Sequence, residues 1–279
     1  MHRVQHLPAN PVTFALYLLS LIQGGSHVSK IEGRVYSVKY FHRMVGLGDP
    51  TEHSLVSQMV EVAKRLCTQP VCRKEPLTRQ HIGAIYDKFG GEKMTLTDLR
   101  TFVMIILGFC GFLRFDELSN VRFRDVSFAN VYMKIFIEKS KNDQYRLGKW
   151  VHISCGNTRL CPVKNLAWYA RVAKLRKKQY LFRRIVKTKY SEKLAATNRP
   201  LSYTRTREVI RSALELIGVD KSEFGTHSLR SGGATMAANS GVPDRLFKRH
   251  GRWRSERAKD MYIKDDLRKL LSVTKTMSL

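Results

Sequence analysis

The sequence predicts a mostly helical protein with a small antiparallel β-sheet, which is a fold of the α+β class. Apolar residues recur at helical spacing through most of the 279 residues, as they do on helices that bury one face. One region, 123–153, is instead rich in β-branched and aromatic residues around a short polar run with turn chemistry. Hydrophobic residues make up 43% of the chain, which is enough for the cores that such a fold needs.

Three amphipathic helices are predicted in the N-terminal part of the chain. Asn10 is a good N-cap, and Pro11 suits the first helical position because proline lacks an amide hydrogen that this position would leave unpaired. Ser29 is predicted to cap the second helix. The third helix is predicted from apolar residues at helical spacing, Leu55, Met59, Val62 and Leu66. Together these helices predict a small all-α domain over residues 1–70.

A linker and a larger second domain are predicted to follow. Prolines and mixed charges break the helical pattern, which places the linker at 71–76 and the second domain at 77–279. In that domain 97–110 predicts a buried helix, and 132–137 and 149–153 predict the two strands of a hairpin. Further helices are predicted over 162–174, 203–217, 228–239, 243–250 and 255–263.

The charge of the chain indicates a polyanionic partner. There are 50 Lys and Arg against 23 Asp and Glu, which gives a formal net charge of +27 and a pI of about 10.2. Cationic side chains gain affinity for nucleic acid because each phosphate they neutralise releases counterions. A ribosomal or membrane-surface protein would carry similar charge, so composition alone does not separate these classes.

Cysteine use and hydropathy predict a soluble protein in a reducing compartment. Five cysteines are an odd and sparse set for a chain of this length, and neither of the two close pairs has the spacing of a zinc ligand pair. They are Cys67, Cys72, Cys110, Cys155 and Cys161. The longest apolar runs, 14–22 and 102–109, are shorter than the ~20 residues of a membrane-spanning helix. We therefore expect no metal, no membrane and an intracellular location.

Six residues at defined spacing predict phosphodiester chemistry. They are Arg114, Glu117, His227, Arg230, Trp253 and Tyr262. Two guanidiniums can hold both non-bridging oxygens of one phosphate, which makes the phosphorus electrophilic without a metal ion. A tyrosine can supply the attacking oxygen. A free phenol is a poor nucleophile at neutral pH, so it needs neighbouring cations such as those that these motifs carry.

The order of these motifs resembles that of the tyrosine recombinase, or phage integrase, family. The family has Arg-x-x-Glu, a hairpin lysine, His-x-x-Arg, Gly-x-His/Trp and then Tyr, and here Trp253 precedes Tyr262 by the family's usual nine residues. The resemblance covers roughly residues 76 to 270. It implies a helical core-binding domain and a catalytic domain that clamp duplex DNA. The family's small domain usually has four or five helices, so the N-terminal domain of this chain is expected to be truncated.

The resemblance implies a role for each residue of the set. Arg114 and Arg230 are expected to clamp the phosphate, Glu117 to orient the basic groups, and His227 to transfer a proton near the tyrosine. Tyr262 is expected to be the nucleophile.

The remaining roles leave two alternatives. Trp253 occupies the His/Trp position, where its indole N–H donates but cannot shuttle a proton. His250, one turn earlier, is the alternative for that position, although the spacing disfavours it. Lys141 is expected to be the general acid of the hairpin, and Lys139 is the alternative.

The implied function is a site-specific DNA recombinase or integrase that works through a 3′-phosphotyrosyl intermediate. It needs double-stranded DNA, no cofactor, and four protomers in a synaptic complex. A type IB topoisomerase shares the chemistry, and a domesticated DNA-binding protein that kept only the fold is an alternative of another class. Residues 7–9 and 46–51 resemble recombinases of eukaryotic mobile elements of the Crypton and DIRS groups. This likeness implies a nuclear location, whereas a prokaryotic or phage enzyme would be cytoplasmic.

Overall fold

A computed structural model describes residues 7–70, 73–141, 143 and 145–277. The chain forms two compact units that divide between Arg73 and Lys74. The predicted linker falls partly outside the described residues, since it contains Val71 and Cys72. Among the helices that the structure describes, none is long and apolar enough to cross a membrane.

Within the described residues, the first unit contains three α-helices, α1 (Pro11–Gln23), α2 (Val28–Met44) and α3 (Ser54–Leu66). The Asn10 side chain caps α1 by accepting hydrogen bonds from the backbone N–H groups of Val12 and Thr13. His27, not Ser29, caps α2. The core of this unit is formed by seven buried residues, Phe14, Ala15, Leu18, Ile22, Ile31, Val56 and Ala63.

The buried face of α3 differs from the prediction. Val56 and Ala63 are buried, whereas Leu66 is 73% exposed. Of the four predicted residues, Met59 and Val62 pack against the core, whereas Leu55 and Leu66 are exposed, so the apolar spacing predicted the helix correctly and its packing face only in part.

The second unit is also mostly helical. Its helices are α4 (Arg79–Lys88), α5 (Leu96–Cys110), α6 (Phe115–Asn120), α7 (Pro162–Val172), α8 (Tyr203–Glu215), α9 (His227–Asn239), α10 (Asp244–Gly251), α11 (Glu256–Asp260) and α12 (Leu267–Lys275). Its strands are β1 (Val126–Phe128), β2 (Tyr132–Ile137), β3 (Lys149–Ser154), β4 (Ile185–Lys187) and β5 (Glu192–Leu194). The predicted fold class, mostly α with small antiparallel sheets, is confirmed.

The sheet follows the predicted hairpin. β1, β2 and β3 form an antiparallel sheet in that order, and β4 pairs with β5 in a separate hairpin. Along β2 and β3 every second residue is buried against the core, which is the period expected of a half-buried sheet. Asn142 and Gln144, in the turn between β2 and β3, lie outside the described residues.

Helix α5 forms the centre of the second unit and brings distant motifs together. It packs against α7 and α9, and two glycines of α9 allow a close approach to neighbouring backbone. A Cβ on Gly232 would lie 2.1 Å from the carbonyl oxygen of Leu77, and one on Gly233 would lie 2.0 Å from that of Phe109. Only glycine allows this approach, so α9 rests on the backbone that leads towards Arg114.

Candidate active site

A cavity of 960 Å³ in the second unit is lined by most of the predicted residues. Arg114, Glu117, Lys139, Lys141, His227, Trp253 and Tyr262 all line it. Arg230 and His250 do not. The motifs that the sequence separates by more than a hundred residues therefore meet at one place.

Arg114 and Glu117 meet at the start of α6. Arg114 is the N-cap residue and not part of the helix. Glu117 reaches back and accepts the Arg114 backbone N–H at 2.8 Å through Oε2 and its Nη1 at 2.9 Å through Oε1. Its carboxylate is 1% exposed. The pair is a capping box in which the capping carboxylate also fixes a cavity-lining guanidinium.

Arg230 is fully buried next to the cavity. One Nη donates to the carbonyl oxygen of Phe112 and the other to that of Gly251 at 2.5 Å. Its Nε has no hydrogen-bond partner among the described residues. The guanidinium carbon lies 4.5 Å from the centre of the Trp253 ring and 4.9 Å from that of Tyr262. The structure thus places Arg230 beneath the two rings, with both terminal nitrogens already used by the backbone.

Arg252 is a member of this cluster that the sequence analysis missed. It has left-handed backbone geometry, with φ 58°, directly after α10, and its side chain is 3% exposed. Nη2 donates to Glu117 Oε2 at 2.8 Å and to the carbonyl oxygen of Phe112 at 2.9 Å. Its position between Gly251 and Trp253 was the only signal in the sequence.

Glu117 is therefore surrounded by three guanidiniums, and we call these four residues (Arg114, Glu117, Arg230 and Arg252) the arginine cluster. Burial alone would raise the pKa of Glu117, but Arg252, the Arg114 N–H and Arg230 together hold it below its usual range. Burial, Arg114 and Arg252 lower the pKa of Arg230 to about 9. One carboxylate against three guanidiniums leaves an excess of two positive charges, which favours an anion in the adjoining cavity.

Two aromatic rings, those of Trp253 and His227, lie beside Tyr262. Its ring centre lies 5.6 Å from that of Trp253 and 6.2 Å from that of His227. Trp253 is 5% exposed, and its Nε1 has no hydrogen-bond partner among the described residues. The Trp253 ring folds back over Gly251, where a Cβ would lie 1.7 Å from it. Tyr262 itself lies in a turn, because α11 ends at Asp260 and not at Ile263 as predicted.

His227 is the first residue of α9 and faces the cavity. Desolvation, followed by the charges of Arg230, Arg114 and Lys141, lowers its pKa below the usual value, and Asp116 acts weakly in the opposite sense. The imidazole is therefore neutral at pH 7 and can accept a proton. Only the neutral form can serve a neighbouring hydroxyl group in this way.

The two candidate lysines and His250 differ in position. Lys139 and Lys141 both line the cavity and are exposed, and the charge of Lys141 helps to lower the pKa of His227. The Nε2 of His250 donates to the carbonyl oxygen of Cys110 at 2.8 Å, and its ring packs on Phe112 at 4.6 Å. These contacts give His250 a structural place at the end of α10.

The comparison with known families agrees with this geometry. Residues 75–268 match the model of the phage integrase family.

The chain belongs to the phage integrase family.

Several relatives of this phage integrase family member are known. The integrase/recombinase xerD homolog of Selenomonas ruminantium is 27% identical over 266 residues, which span 94% of this chain and 75% of that protein. Among solved structures, the XerH site-specific recombinase bound to a palindromic difH substrate has a TM-score of 0.61 and 13% identity, over 97% of this chain and 70% of XerH. The Tn1549 transposon integrase in complex with circular intermediate DNA has a TM-score of 0.58 and 14% identity, over 96% and 85% of the two chains. At such identities the structural likeness shows the fold alone.

In the described part of this family member, no group of three or more His, Cys, Asp or Glu residues has the arrangement of a metal site. The Cys155 and Cys161 sulfurs lie 3.7 Å apart, and Cys161 caps α7.

Proposed function

We propose that this protein is a site-specific DNA recombinase or integrase that cleaves duplex DNA with Tyr262 and rejoins it to a new partner strand. The observation that carries the proposal is the place of the Tyr262 ring, 4.9 Å from the Arg230 guanidinium carbon and beside His227 and Trp253. Cations in a water-poor site stabilise a phenolate and the charge that develops on an attacked phosphate. Tyr180 and Tyr203 line the same cavity, but Tyr180 contacts Arg122 and Tyr203 packs on Phe115.

In the proposed reaction the Tyr262 oxygen attacks the scissile phosphorus while neutral His227 accepts the phenol proton. The bond from phosphorus to the 5′ oxygen breaks, and Lys141 donates a proton to the leaving oxygen. The product is a 3′-phosphotyrosyl link and a free 5′-hydroxyl. Attack by the 5′-hydroxyl of a partner strand reverses these steps. The ester conserves the bond energy, so the cycle needs neither ATP nor a metal ion.

Each remaining member of the site supports the phosphate. Arg114 faces the cavity with its guanidinium oriented by Glu117. The free Nε of Arg230 and the free Nε1 of Trp253 are donors without partners among the described residues, and a buried donor without a partner is costly. A phosphate oxygen would satisfy such donors. Trp253 therefore acts as a donor and a packing surface, not as a proton shuttle.

Assembly and biological setting are part of the proposal. XerH and the Tn1549 integrase are described in complexes with DNA, and the net charge of +27 suits the same partner here. We propose a synaptic tetramer on two duplexes, in which the exposed leucines of α12, Leu267, Leu270 and Leu271, dock on a neighbouring protomer. A mobile element of the Crypton or DIRS type is the proposed source, which implies action in the nucleus.

The test is covalent trapping on a pool of random-sequence duplexes, each nicked near its centre so that the short 5′-hydroxyl fragment diffuses away. We expect a protein–DNA complex that resists SDS, and mass spectrometry should map the phosphate to Tyr262. Tyr262→Phe should abolish the complex, whereas the control Tyr203→Phe should retain it.

Trapping by Tyr262→Phe would move the nucleophile elsewhere. No trapping by the unaltered protein would favour a DNA-binding protein that kept only the fold. Relaxation of a supercoiled plasmid without strand exchange would favour a topoisomerase.

A further inference from the structure

The site cavity extends to a basic residue that the proposed chemistry does not use. Arg122 and Tyr180 line the same cavity as Tyr262. Arg122 follows α6, while Arg114 precedes it, and a helix of six residues is about 9 Å long. The two side chains therefore leave the backbone at opposite ends of α6, and the Arg122 guanidinium is held on Tyr180 and not on the arginine cluster.

The Arg122 guanidinium is held in place but is not neutralised. Its Nη2 donates to the Tyr180 hydroxyl at 3.1 Å, and its central carbon lies 4.9 Å from the centre of the Tyr180 ring. The carboxylate of Asp125 accepts the Arg122 backbone N–H at 2.8 Å, but the guanidinium forms no ion pair with any described residue. An arginine stacked on an aromatic ring keeps its remaining N–H groups free for a planar or tetrahedral anion.

The backbone fixes Tyr180 beside Arg122. The Phe123 N–H donates to the carbonyl oxygen of Gln179 at 2.9 Å, and the Arg124 N–H donates to that of Lys177 at 2.8 Å. The Tyr180 N–H donates to Asn198 Oδ1 at 3.1 Å. The stacking partner of Arg122 is therefore held by the fold, and no substrate is needed to position it.

The chain next to Tyr180 is strongly basic. Arg176, Lys177 and Lys178 are exposed, and residues 151–200 contain thirteen Lys and Arg but one acid, Glu192. Glu192 already pairs with Lys187 at 2.8 Å. A duplex that left the cavity past Tyr180 would meet uncompensated positive charge.

We infer that Arg122, held by Tyr180, binds a second phosphate of the substrate strand, within about three nucleotides of the scissile phosphate at the ~3.4 Å rise per nucleotide of duplex DNA. This inference rests on the proposed function, because it places the DNA in the cavity of Tyr262. Arg122 touches the substrate but takes no part in bond breaking. It sets where the strand lies relative to the nucleophile.

The first test measures the salt dependence of binding to the random-sequence duplex pool, with Tyr262→Phe as background so that no chemistry occurs. Arg122→Ala should weaken binding about tenfold and lower the log–log salt slope by about one. Arg124→Ala is the matched control, because Arg124 is two residues away, 46% exposed, paired with Asp125 and absent from the cavity wall. Tyr180→Phe should give a smaller loss, since the ring stays and only the hydroxyl acceptor goes.

The second test locates the phosphate on a duplex of the sequence recovered by trapping. Neutral methylphosphonates replace one phosphate at a time. The Tyr262→Phe protein should lose affinity at the scissile position and at a second position within about three nucleotides. Adding Arg122→Ala should remove the sensitivity at the second position only.

The two proposals fail separately. An unchanged salt slope in Arg122→Ala, or methylphosphonate sensitivity unchanged at every position, would overturn the Arg122 assignment even if Tyr262 traps DNA. If the unaltered protein traps no DNA while Arg122→Ala still lowers the slope and Arg124→Ala does not, the recombinase proposal fails and the DNA contact stands.

Discussion

The arginine cluster and the loop between β2 and β3 both present positive charge to one cavity. The charge of the cluster is mostly buried and held in place, whereas that of the loop is exposed. Arg230 and Arg252 are at most 3% exposed, and their terminal nitrogens are bound to backbone carbonyls or to Glu117. Lys139 and Lys141 are exposed and form no ion pair with a described residue. In the proposed reaction, the charge that stabilises the transition state is fixed by the fold before substrate arrives, whereas the proposed proton donor lies on a solvated loop.

Loss of the central carboxylate should be the most damaging change. Glu117→Ala leaves three neighbouring guanidiniums with no buried counter-charge, and breaking a buried ion pair costs about 3–5 kcal/mol of unfolding free energy. Lys141→Ala should change that free energy by less than about 0.5 kcal/mol. Urea denaturation of both variants measures the contrast. Equal midpoints would mean that the cluster and the loop do not differ in their contribution to the fold.

Arg230 should be second in effect, and its effect should appear in catalysis. Arg230→Ala and Arg114→Ala should each slow single-turnover cleavage of the trapped sequence by about 10²-fold or more. Arg230→Lys should not rescue the rate, because one ammonium cannot reach the Phe112 and Gly251 carbonyls and also keep a planar face beneath Tyr262. Near-normal rates in both alanine variants would exclude them as the phosphate clamp.

A better leaving group should restore cleavage after loss of the loop lysine that acts as general acid, but not after loss of an arginine of the cluster. Lys141→Ala should cleave ordinary DNA about 10²-fold more slowly, yet recover on a 5′-bridging phosphorothiolate, whose sulfur leaves without a proton. Lys139→Ala should show little defect on either substrate. The opposite pattern would assign the general acid to Lys139.

The pH dependence should give the smallest effects. Because the pKa of His227 is lowered, cleavage should stay at its plateau below the ordinary imidazole pKa of about 6.5 and fall only when His227 itself is protonated. Single-turnover cleavage rates measured from about pH 5 to about pH 8, a range that includes the ordinary imidazole pKa, provide the check. A rate that rises on acidification would contradict His227 as the proton acceptor.

His250 should make the unfolding free energy depend on pH. Burial lowers its pKa most, although its bond to the Cys110 carbonyl acts in the opposite direction. The unfolded chain then binds a proton near pH 6.5 that the folded chain binds only at lower pH, so the unfolding free energy falls as the pH decreases through this range. In His250→Ala the urea midpoint should depend less on pH. An unaltered slope would show that other groups carry it.

The motifs predicted which residues meet in the cavity more fully than they predicted how each one sits there. Arg114, His227, Trp253 and Tyr262 come together because α9 packs against α5, a contact that the glycines of α9 permit. Helix α6, with six residues, is too short for its apolar period to be read from the sequence.

Arg252 could not be predicted because most of its partners lie 135 to 141 residues away and, apart from the Glu117 carboxylate, are backbone carbonyls. Its left-handed φ of 58° is also unusual for a residue that is not glycine. The burial of Arg230 has the same origin, since a motif specifies the residue type and not the carbonyls that will hold it.

The contact of Gly232 and Gly233 with the backbone at Leu77 and Phe109 works as a mechanical stop. The distance between the Arg114 side and the His227 side of the site is set by direct contact of α9 with neighbouring backbone. Because no side chain lies between them, a change in this distance cannot be compensated by a different rotamer. A single added methyl group would wedge the two halves of the site apart. The tolerance of this protein to substitution is therefore small at two residues that take no part in the proposed chemistry.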